Sequence, residues 1–241
     1  MNKRTLSLRE WIFIAAILLL TVAVSVLAIL LAVSCEEQDE RSYYEIKCEA
    51  FGVQNANLAK GQIVFIGDSI TDLYTLDTYY SDLPLAVYNR GIGGDTTQGV
   101  LNRLQGSLFD IAPSKIVLMI GTNDINGGSS DTEILDNYEA ILLSVKEKLP
   151  STEIYCMSVI PQNEKLEEYT TLDISETTEK IKRINPLIES LATEYGATYV
   201  NLFPYLSDTN DRLIAEYSDD GLHLNAEGYE IWTSILKPYL D

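Results

Sequence analysis

A single histidine limits where imidazole chemistry can occur in this chain. Any serine nucleophile that uses imidazole as its general base must use His223, because the 241 residues contain no other histidine. Asp220 precedes it by three residues, close enough in a turn for the carboxylate to face the ring. Such a carboxylate would fix the tautomer and stabilise the imidazolium. Asp219 would serve equally in a regular helix, so the spacing leaves both aspartates open.

Ser69 is the serine best placed to act as the nucleophile. It follows an apolar run and Gly67-Asp68, where a tight turn at a strand end could expose its hydroxyl and leave its N–H free to donate. In isolation, Gly-Asp-Ser predicts a helix N-cap instead. Further along the chain, Gly93-Gly94 can bring a backbone N–H close to a substrate, and Asn123 carries an amide donor. Taken singly, glycines and an Asn-Asp pair are ordinary loop residues, so each of these signals is weak by itself.

Five short apolar runs with the β-branched content of buried strands would position these residues. Helical patterns separate the runs; one follows a Ser130-x-x-Glu133 capping box, and another contains Pro186, which predicts a kink or a late helix start. Alternating strands and helices predict a parallel sheet covered on both faces. Sites in such sheets form at the carboxyl ends of the strands, where the turns described above occur. The runs are residues 63–66, 86–88, 116–120, 154–159 and 199–202, and a closing helix is expected over residues 225–240.

Four motifs, in this order and placement, resemble those of the SGNH hydrolases, the family of GDSL-type esterases and lipases. They begin at Gly67, Gly91, Gly121 and Asp220, and the resemblance covers about residues 60–240. The stretch from Asn89 to Thr97, followed by Gly121-Thr122-Asn123, looks particularly like the platelet-activating-factor acetylhydrolase branch. The first motif departs from the family pattern by reading serine-isoleucine rather than serine-leucine. The resemblance implies a three-layer, flavodoxin-like α/β fold with a doubly wound, five-stranded parallel sheet.

The same resemblance implies a role for each motif residue. It selects Asp220 over Asp219, and it leaves Gly91 and Gly93 as alternatives for the glycine donor. The implied reaction is ester hydrolysis through an acyl-enzyme intermediate, which needs no metal or organic cofactor. The assigned residues are Ser69, Asp220 and His223 for the catalytic triad, and Ser69, Gly94 and Asn123 for the oxyanion hole.

The first 34 residues differ in composition from the rest of the chain. Residues 11–34 carry no charge, and as a helix they would be about 36 Å long, enough to cross a hydrocarbon core of about 30 Å. Lys3, Arg4 and Arg9 precede this segment and an acidic run follows it. The positive-inside rule therefore predicts a transmembrane signal anchor with residues 1–10 in the cytoplasm and the enzyme outside.

Two alternatives to the membrane anchor remain open: a lipoprotein and a secreted protein. Ala-Val-Ser before Cys35 resembles a lipoprotein processing site, which would place a lipid on Cys35, and simple secretion is the other alternative. If Cys35 is not lipidated, it could pair with Cys48 outside the cell. Residues 35–60 are polar and acidic and predict a stalk or lead-in, followed by a hydrolase domain over residues 61–241.

Composition and charge exclude several classes of protein. The length allows one globular domain with an appendage, and 46% apolar residues indicate a folded chain. The 36 acidic and 17 basic residues give a net charge of −19, which disfavours nucleic acid as a partner. The three cysteines and the histidine are too scattered for a structural zinc site. Thr96 breaks the glycine pattern expected of a nucleotide-binding loop.

The sequence favours a substrate with a short acyl group. No long apolar segment marks a lipid-binding lid, which favours short acyl groups, acetyl foremost, on a small molecule or a glycan. We expect residues 161–174 to shape the pocket. Two other functions fit the same motifs: an O-acyltransferase or esterase acting on cell-wall glycans, and a non-catalytic glycan-binding module on the same fold. The sequence does not determine the oligomeric state.

Overall fold

The computed structural model describes residues 7–36, 42–164 and 173–241 of a chain that divides into two units, Met1–Ser42 and Tyr43–Asp241. In the smaller unit, the described residues form one helix, α1 (Leu8–Glu36). Its segment Leu8–Val26 has a mean hydropathy of 2.0, and its described side chains are exposed. Its length and composition suffice to cross a membrane, and a signal sequence near an N-terminus would look the same.

The larger unit alternates strands with helices, as the spacing of the apolar runs predicts. Its described residues form one five-stranded parallel sheet in the order β2-β1-β3-β4-β5, the flavodoxin-like order. The strands are β1 (Ile63–Gly67), β2 (Val87–Gly91), β3 (Lys115–Met119), β4 (Glu153–Met157) and β5 (Thr198–Val200). The helices are α2 (Tyr43–Asn55), α3 (Ser69–Asp72), α4 (Leu76–Tyr80), α5 (Thr97–Asn102), α6 (Thr122–Asn126), α7 (Asp131–Lys148), α8 (Ile174–Glu194), α9 (Phe203–Leu206) and α10 (Ala226–Leu240), with a π-helical turn at Gln105–Phe109 and a 3₁₀ turn at Ala215–Tyr217.

The sheet separates two hydrophobic cores because successive strand side chains point to opposite faces. On one face, Val64 and Ile66 of β1 pack with buried residues of α5, α7 and α8. On the other face, Ile63 and Phe65 pack with residues of α4, α9 and α10, including Trp232, which is fully buried. Helices therefore cover both faces, which confirms the three-layer α/β arrangement.

Helix α8 is longer than Pro186 led us to expect. It begins at Ile174, so the late start is wrong, and it continues past the proline to Glu194. A proline inside a helix removes one backbone hydrogen bond, whereas α8 buries a complete apolar stripe that includes Ile181, Ile184 and Ile188. Burial of that stripe outweighs the missing hydrogen bond.

The larger unit starts at Tyr43 rather than at residue 61. The polar segment assigned to a lead-in contains α2, whose Phe51 is 3% exposed. The guanidinium carbon of Arg90 lies 4.5 Å from the centre of the Phe51 ring, and Arg90 also hydrogen-bonds to Gln54 and Asn55. One buried aromatic ring and a few polar contacts hold the helix, and such an arrangement produces little apolar periodicity in the sequence.

Candidate active site

Ser69 lies at the carboxyl end of β1 as the first residue of α3. The N-cap is the preceding residue, Asp68, whose Oδ1 accepts a hydrogen bond from the N–H of Ile70 at 2.9 Å. Asp68 is fully buried, and that burial raises the pKa of its carboxyl to about 7. Because Asp68 supplies the cap, the Ser69 hydroxyl is available for another partner. The Ser69 N–H has no acceptor within the helix, since the first N–H groups of a helix have none.

The partner of the Ser69 hydroxyl is the histidine, 154 residues further along the chain. Nε2 of His223 lies 2.9 Å from Ser69 Oγ, and Nδ1 lies 2.6 Å from Oδ2 of Asp220. With a proton on Nδ1, Nε2 can accept the hydroxyl proton of Ser69. The structure therefore brings these three side chains into one continuous hydrogen-bonded line.

Asp220 is held rigidly by the turn that contains it. Its Oδ1 accepts hydrogen bonds from the N–H groups of Leu222 and His223, each at 2.8 Å. Burial raises the pKa of Asp220, but the hydrogen bonds from the His223 side chain and from these two N–H groups outweigh it, so the pKa lies below its ordinary value. The carboxylate thus stays ionised at neutral pH as an acceptor for the ring. Asp219 is exposed, and it is Asp220 that faces Nδ1.

The three candidate glycines lie in the segment from Gly91, the last residue of β2, to Gly94, which is called the glycine loop below. Their N–H groups differ in the hydrogen bonds that they already make. The N–H of Gly91 already donates to Asn89 Oδ1 at 2.8 Å, and that of Gly93 donates to Asp72 Oδ2 at 3.1 Å. Gly94 has a φ of +78°, which a side chain rarely tolerates. Within the described part of the chain its N–H donates to no protein acceptor, so Gly94 is the glycine free to bind a substrate oxygen.

Asn123 comes to the same rim from the carboxyl end of β3. It is the second residue of α6, and its Nδ2 donates to the backbone carbonyl of Asp95 at 2.9 Å. This bond uses one of the two amide hydrogens and links the side chain to the residue that follows Gly94. The second hydrogen remains available for a substrate oxygen.

Arg103 is a supporting residue that the sequence analysis missed. Its buried guanidinium donates from Nε to Asp95 Oδ2 at 2.7 Å, from Nη1 to the carbonyl of Arg90 at 2.8 Å, and from Nη2 to the carbonyl of Gly67 at 3.0 Å. These bonds tie together the ends of β1 and β2 and the glycine loop. The available signal was a charged residue inside the apolar helical stripe of residues 100–108.

The remaining cysteines, the expected pocket segment and potential metal ligands lie partly within the described residues. Cys156 is a buried thiol, and burial raises its pKa to about 12. Cys48 is also a free thiol, whereas the side chain of Cys35 is outside the described residues. Residues 165–172, the middle of the expected pocket segment 161–174, are likewise outside them. Among the described residues, no group of His, Cys, Asp and Glu side chains could hold a metal ion.

Comparison with known proteins shows which proteins this chain resembles. A model of the GDSL-like lipase/acylhydrolase family matches residues 65–231. The platelet-activating factor acetylhydrolase IB subunit alpha1 of Bos taurus is 31% identical over 172 residues, 70% of each chain. A solved structure from Streptococcus pneumonia, described as a platelet activating factor, is 34% identical with a TM-score of 0.77, covering 88% of this chain and 99% of that one.

A second solved structure shares the fold at lower sequence identity. The structure of a GDSL-like lipase from Bacteroides thetaiotaomicron is 23% identical, with a TM-score of 0.70 over 83% of this chain and 98% of that one. The family match covers more than half of the chain and includes Ser69, Gly94, Asn123 and His223. The resemblance to the SGNH hydrolases is therefore confirmed, and the chain belongs to the GDSL-like lipase/acylhydrolase family as a hydrolase that acts on esters.

Proposed function

We propose that the protein is a serine esterase that hydrolyses short acyl esters, acetyl foremost, through an acyl-enzyme intermediate. The observation that carries the proposal is the line from Asp220 through His223 to Ser69, with separations of 2.6 Å and 2.9 Å. The bovine relative is named an acetylhydrolase, which supports the preference for acetyl. An assembled triad also argues against a non-catalytic glycan-binding module, since binding alone would not require it.

The proposed reaction follows from the hydrogen bonds already present. Ser69 Oγ transfers its proton to Nε2 of His223 and attacks the ester carbonyl carbon, while Asp220 stabilises the imidazolium. The carbonyl oxygen becomes an oxyanion that accepts hydrogen bonds from the N–H groups of Ser69 and Gly94 and from the Asn123 amide. His223 then protonates the leaving alcohol. A water molecule attacks the acyl-enzyme by the same route and releases the acid.

A panel of p-nitrophenyl esters from acetyl to palmitoyl tests this proposal. We expect kcat/KM to be highest for the acetyl ester and to fall as the acyl chain lengthens, because the sequence of the hydrolase domain has no long apolar segment typical of a lipid-binding lid. Equal rates for palmitoyl and acetyl esters would contradict the short-chain preference. Adding a glycan alcohol to the acetyl assay separates hydrolase from O-acyltransferase, since a transferase would form the acetylated glycan in preference to acetate.

Asn123→Ala is expected to lower kcat by about 10²- to 10³-fold, because a side-chain oxyanion donor acts mainly in the transition state. Steady-state kinetics with p-nitrophenyl acetate measure the effect, and the melting temperature reports on folding. Asn102→Ala, which alters an exposed asparagine of α5, is the matched control and should leave kcat unchanged. A change confined to KM in the Asn123 variant would be evidence against an oxyanion role.

We further propose that α1 anchors the enzyme in a membrane with the hydrolase domain outside the cytoplasm. The support is its apolar segment Leu8–Val26, together with Lys3 and Arg4 before that segment, Arg9 in its first turn, and acidic residues after it. Protease added to cells stripped of any outer membrane or wall should digest the domain and spare the N-terminal tail. A domain that resists protease until the cells are lysed would disprove this orientation.

A further inference from the structure

Helix α2 lies outside the segment that the family model matches, yet it reaches the active site. We propose that α2 contributes to catalysis at this site. Its residues Tyr43 and Lys47 hold the carboxylate of Asp72, and Asp72 in turn positions the glycine loop that supplies the Gly94 N–H. This inference rests on the proposed serine-esterase mechanism. It adds two positioning residues that the resemblance to the family did not indicate.

The Asp72 carboxylate receives three donors from two directions. Oδ1 accepts from Lys47 Nζ at 2.7 Å, and Oδ2 accepts from the Tyr43 hydroxyl at 2.7 Å and from the Gly93 N–H at 3.1 Å. The bond to Asp72 is the main reason that the pKa of Tyr43 is raised to about 12, so the phenol keeps its proton and donates. The carboxylate therefore links α2 directly to the glycine loop.

Asp72 also lies where the nucleophile and the glycine loop meet. It is the last residue of α3, the helix that Ser69 begins. A methyl group at Gly91 would collide with the backbone of Thr71 and Asp72, so α3 and the end of β2 are in close backbone contact. A methyl group at Gly93 would lie 3.5 Å from the Tyr43 ring and 4.0 Å from Ser69 Cβ. The Tyr43 ring and Ser69 therefore both lie beside Gly93.

The C-terminal end of α2 is attached to Arg90 of β2. This attachment limits the movement of the N-terminal end of the helix, which carries Tyr43 and Lys47. Arg90 hydrogen-bonds to Gln54 and Asn55 at 2.8 Å each and stacks on the buried ring of Phe51. The hydroxyl of Tyr44 donates to the carbonyl of Gly99 in α5 at 2.8 Å. Contacts along the whole length of α2 therefore hold Tyr43 and Lys47 against Asp72.

Two physical effects follow from this arrangement. First, an immobilised Asp72 carboxylate fixes the Gly93 N–H, and thereby the orientation of the next peptide, whose N–H belongs to Gly94. Second, a carboxylate so close to the oxyanion hole would repel the negative charge that develops there, and the ammonium of Lys47 neutralises it. Both effects act on the transition state, so their loss should lower kcat more than it raises KM.

The test uses full-length protein and p-nitrophenyl acetate. From the strength of charge-assisted hydrogen bonds, we expect Lys47→Met to lower kcat about tenfold and Tyr43→Phe about threefold, with KM changed by less than about twofold. Lys47→Arg keeps the charge and should retain most of the wild-type kcat. Asp72→Asn added to Lys47→Met should raise kcat above that of Lys47→Met alone, because it removes the unneutralised carboxylate. Additive losses in this pair would overturn the proposed charge effect.

Matched controls come from equivalent contacts elsewhere in the domain. Tyr195→Phe removes a tyrosine–carboxylate bond to Glu139 of 2.6 Å, and Lys237→Met removes a lysine–carboxylate pair with Asp82 of 2.6 Å. Both should keep the wild-type kcat at comparable melting temperatures. Wild-type kcat in the Tyr43 and Lys47 variants would overturn the inference. Ser69→Ala in the same assay distinguishes failure of this inference from failure of the proposed mechanism. Wild-type turnover in that variant would refute the serine-esterase mechanism itself.

Discussion

Ser69→Ala is expected to lower kcat by about 10⁵- to 10⁶-fold, as loss of the nucleophile does in enzymes that form an acyl-enzyme. The reason is that Ser69 Oγ is the atom 2.9 Å from His223 Nε2, and alanine leaves no group to form the ester intermediate. The measurement is steady-state turnover of p-nitrophenyl acetate, together with mass spectrometry of protein treated with a fluorophosphonate. Wild-type protein should gain the phosphonyl mass, and the variant should not.

Folding should survive this substitution. Asp68, not Ser69, supplies the side-chain cap of α3, so alanine at position 69 removes no bond that holds the helix. The melting temperature should therefore stay within a few degrees of the wild-type value. A Ser69→Ala protein with wild-type turnover would show that another residue is the nucleophile. Loss of the melting transition would instead show that the hydroxyl supports the fold.

The second large effect is expected at Asp220. Asp220→Asn should keep the shape of the turn but reduce kcat by about 10⁴-fold, because an amide at this position favours the wrong histidine tautomer. Steady-state kinetics near neutral pH and above measure the loss. The lowered pKa of Asp220 means that the wild-type carboxylate is ionised throughout that range, so the variant is compared with the ionised wild type at every pH tested.

Asp219→Asn is the matched control for this prediction. It removes the same charge one residue away, at an exposed position, and should change kcat by less than about threefold, since exposed charges interact weakly. If the two variants exchanged their effects, the roles assigned to the two aspartates would be reversed while the histidine chemistry stood. Equal and small effects from both would exclude a carboxylate from the mechanism.

The positions of the strands could be predicted because each is a short apolar run with turn residues after it. The predicted run at residues 63–66 corresponds to Ile63–Gly67, and that at residues 116–120 corresponds to Lys115–Met119. The Ser130 cap is also present, with its hydroxyl accepting from the N–H of Glu133 at 3.1 Å. These features are local, since they depend on residues within a few positions of one another.

The sequence by itself determined which residue types could take part in the chemistry, since a lone histidine, a Gly-Asp-Ser turn after an apolar run and the glycine loop can be recognised without coordinates. Only the tertiary structure decided how they combine. The family resemblance already favoured Asp220 and Gly94, and the structure gives the physical reason: Asp220 faces His223 Nδ1, and the N–H groups of Gly91 and Gly93 already donate to side chains. It also brought α2 and Arg103 to the site across many residues. Such choices depend on contacts between distant segments, and those contacts exist only after the sheet has assembled and its cores have packed.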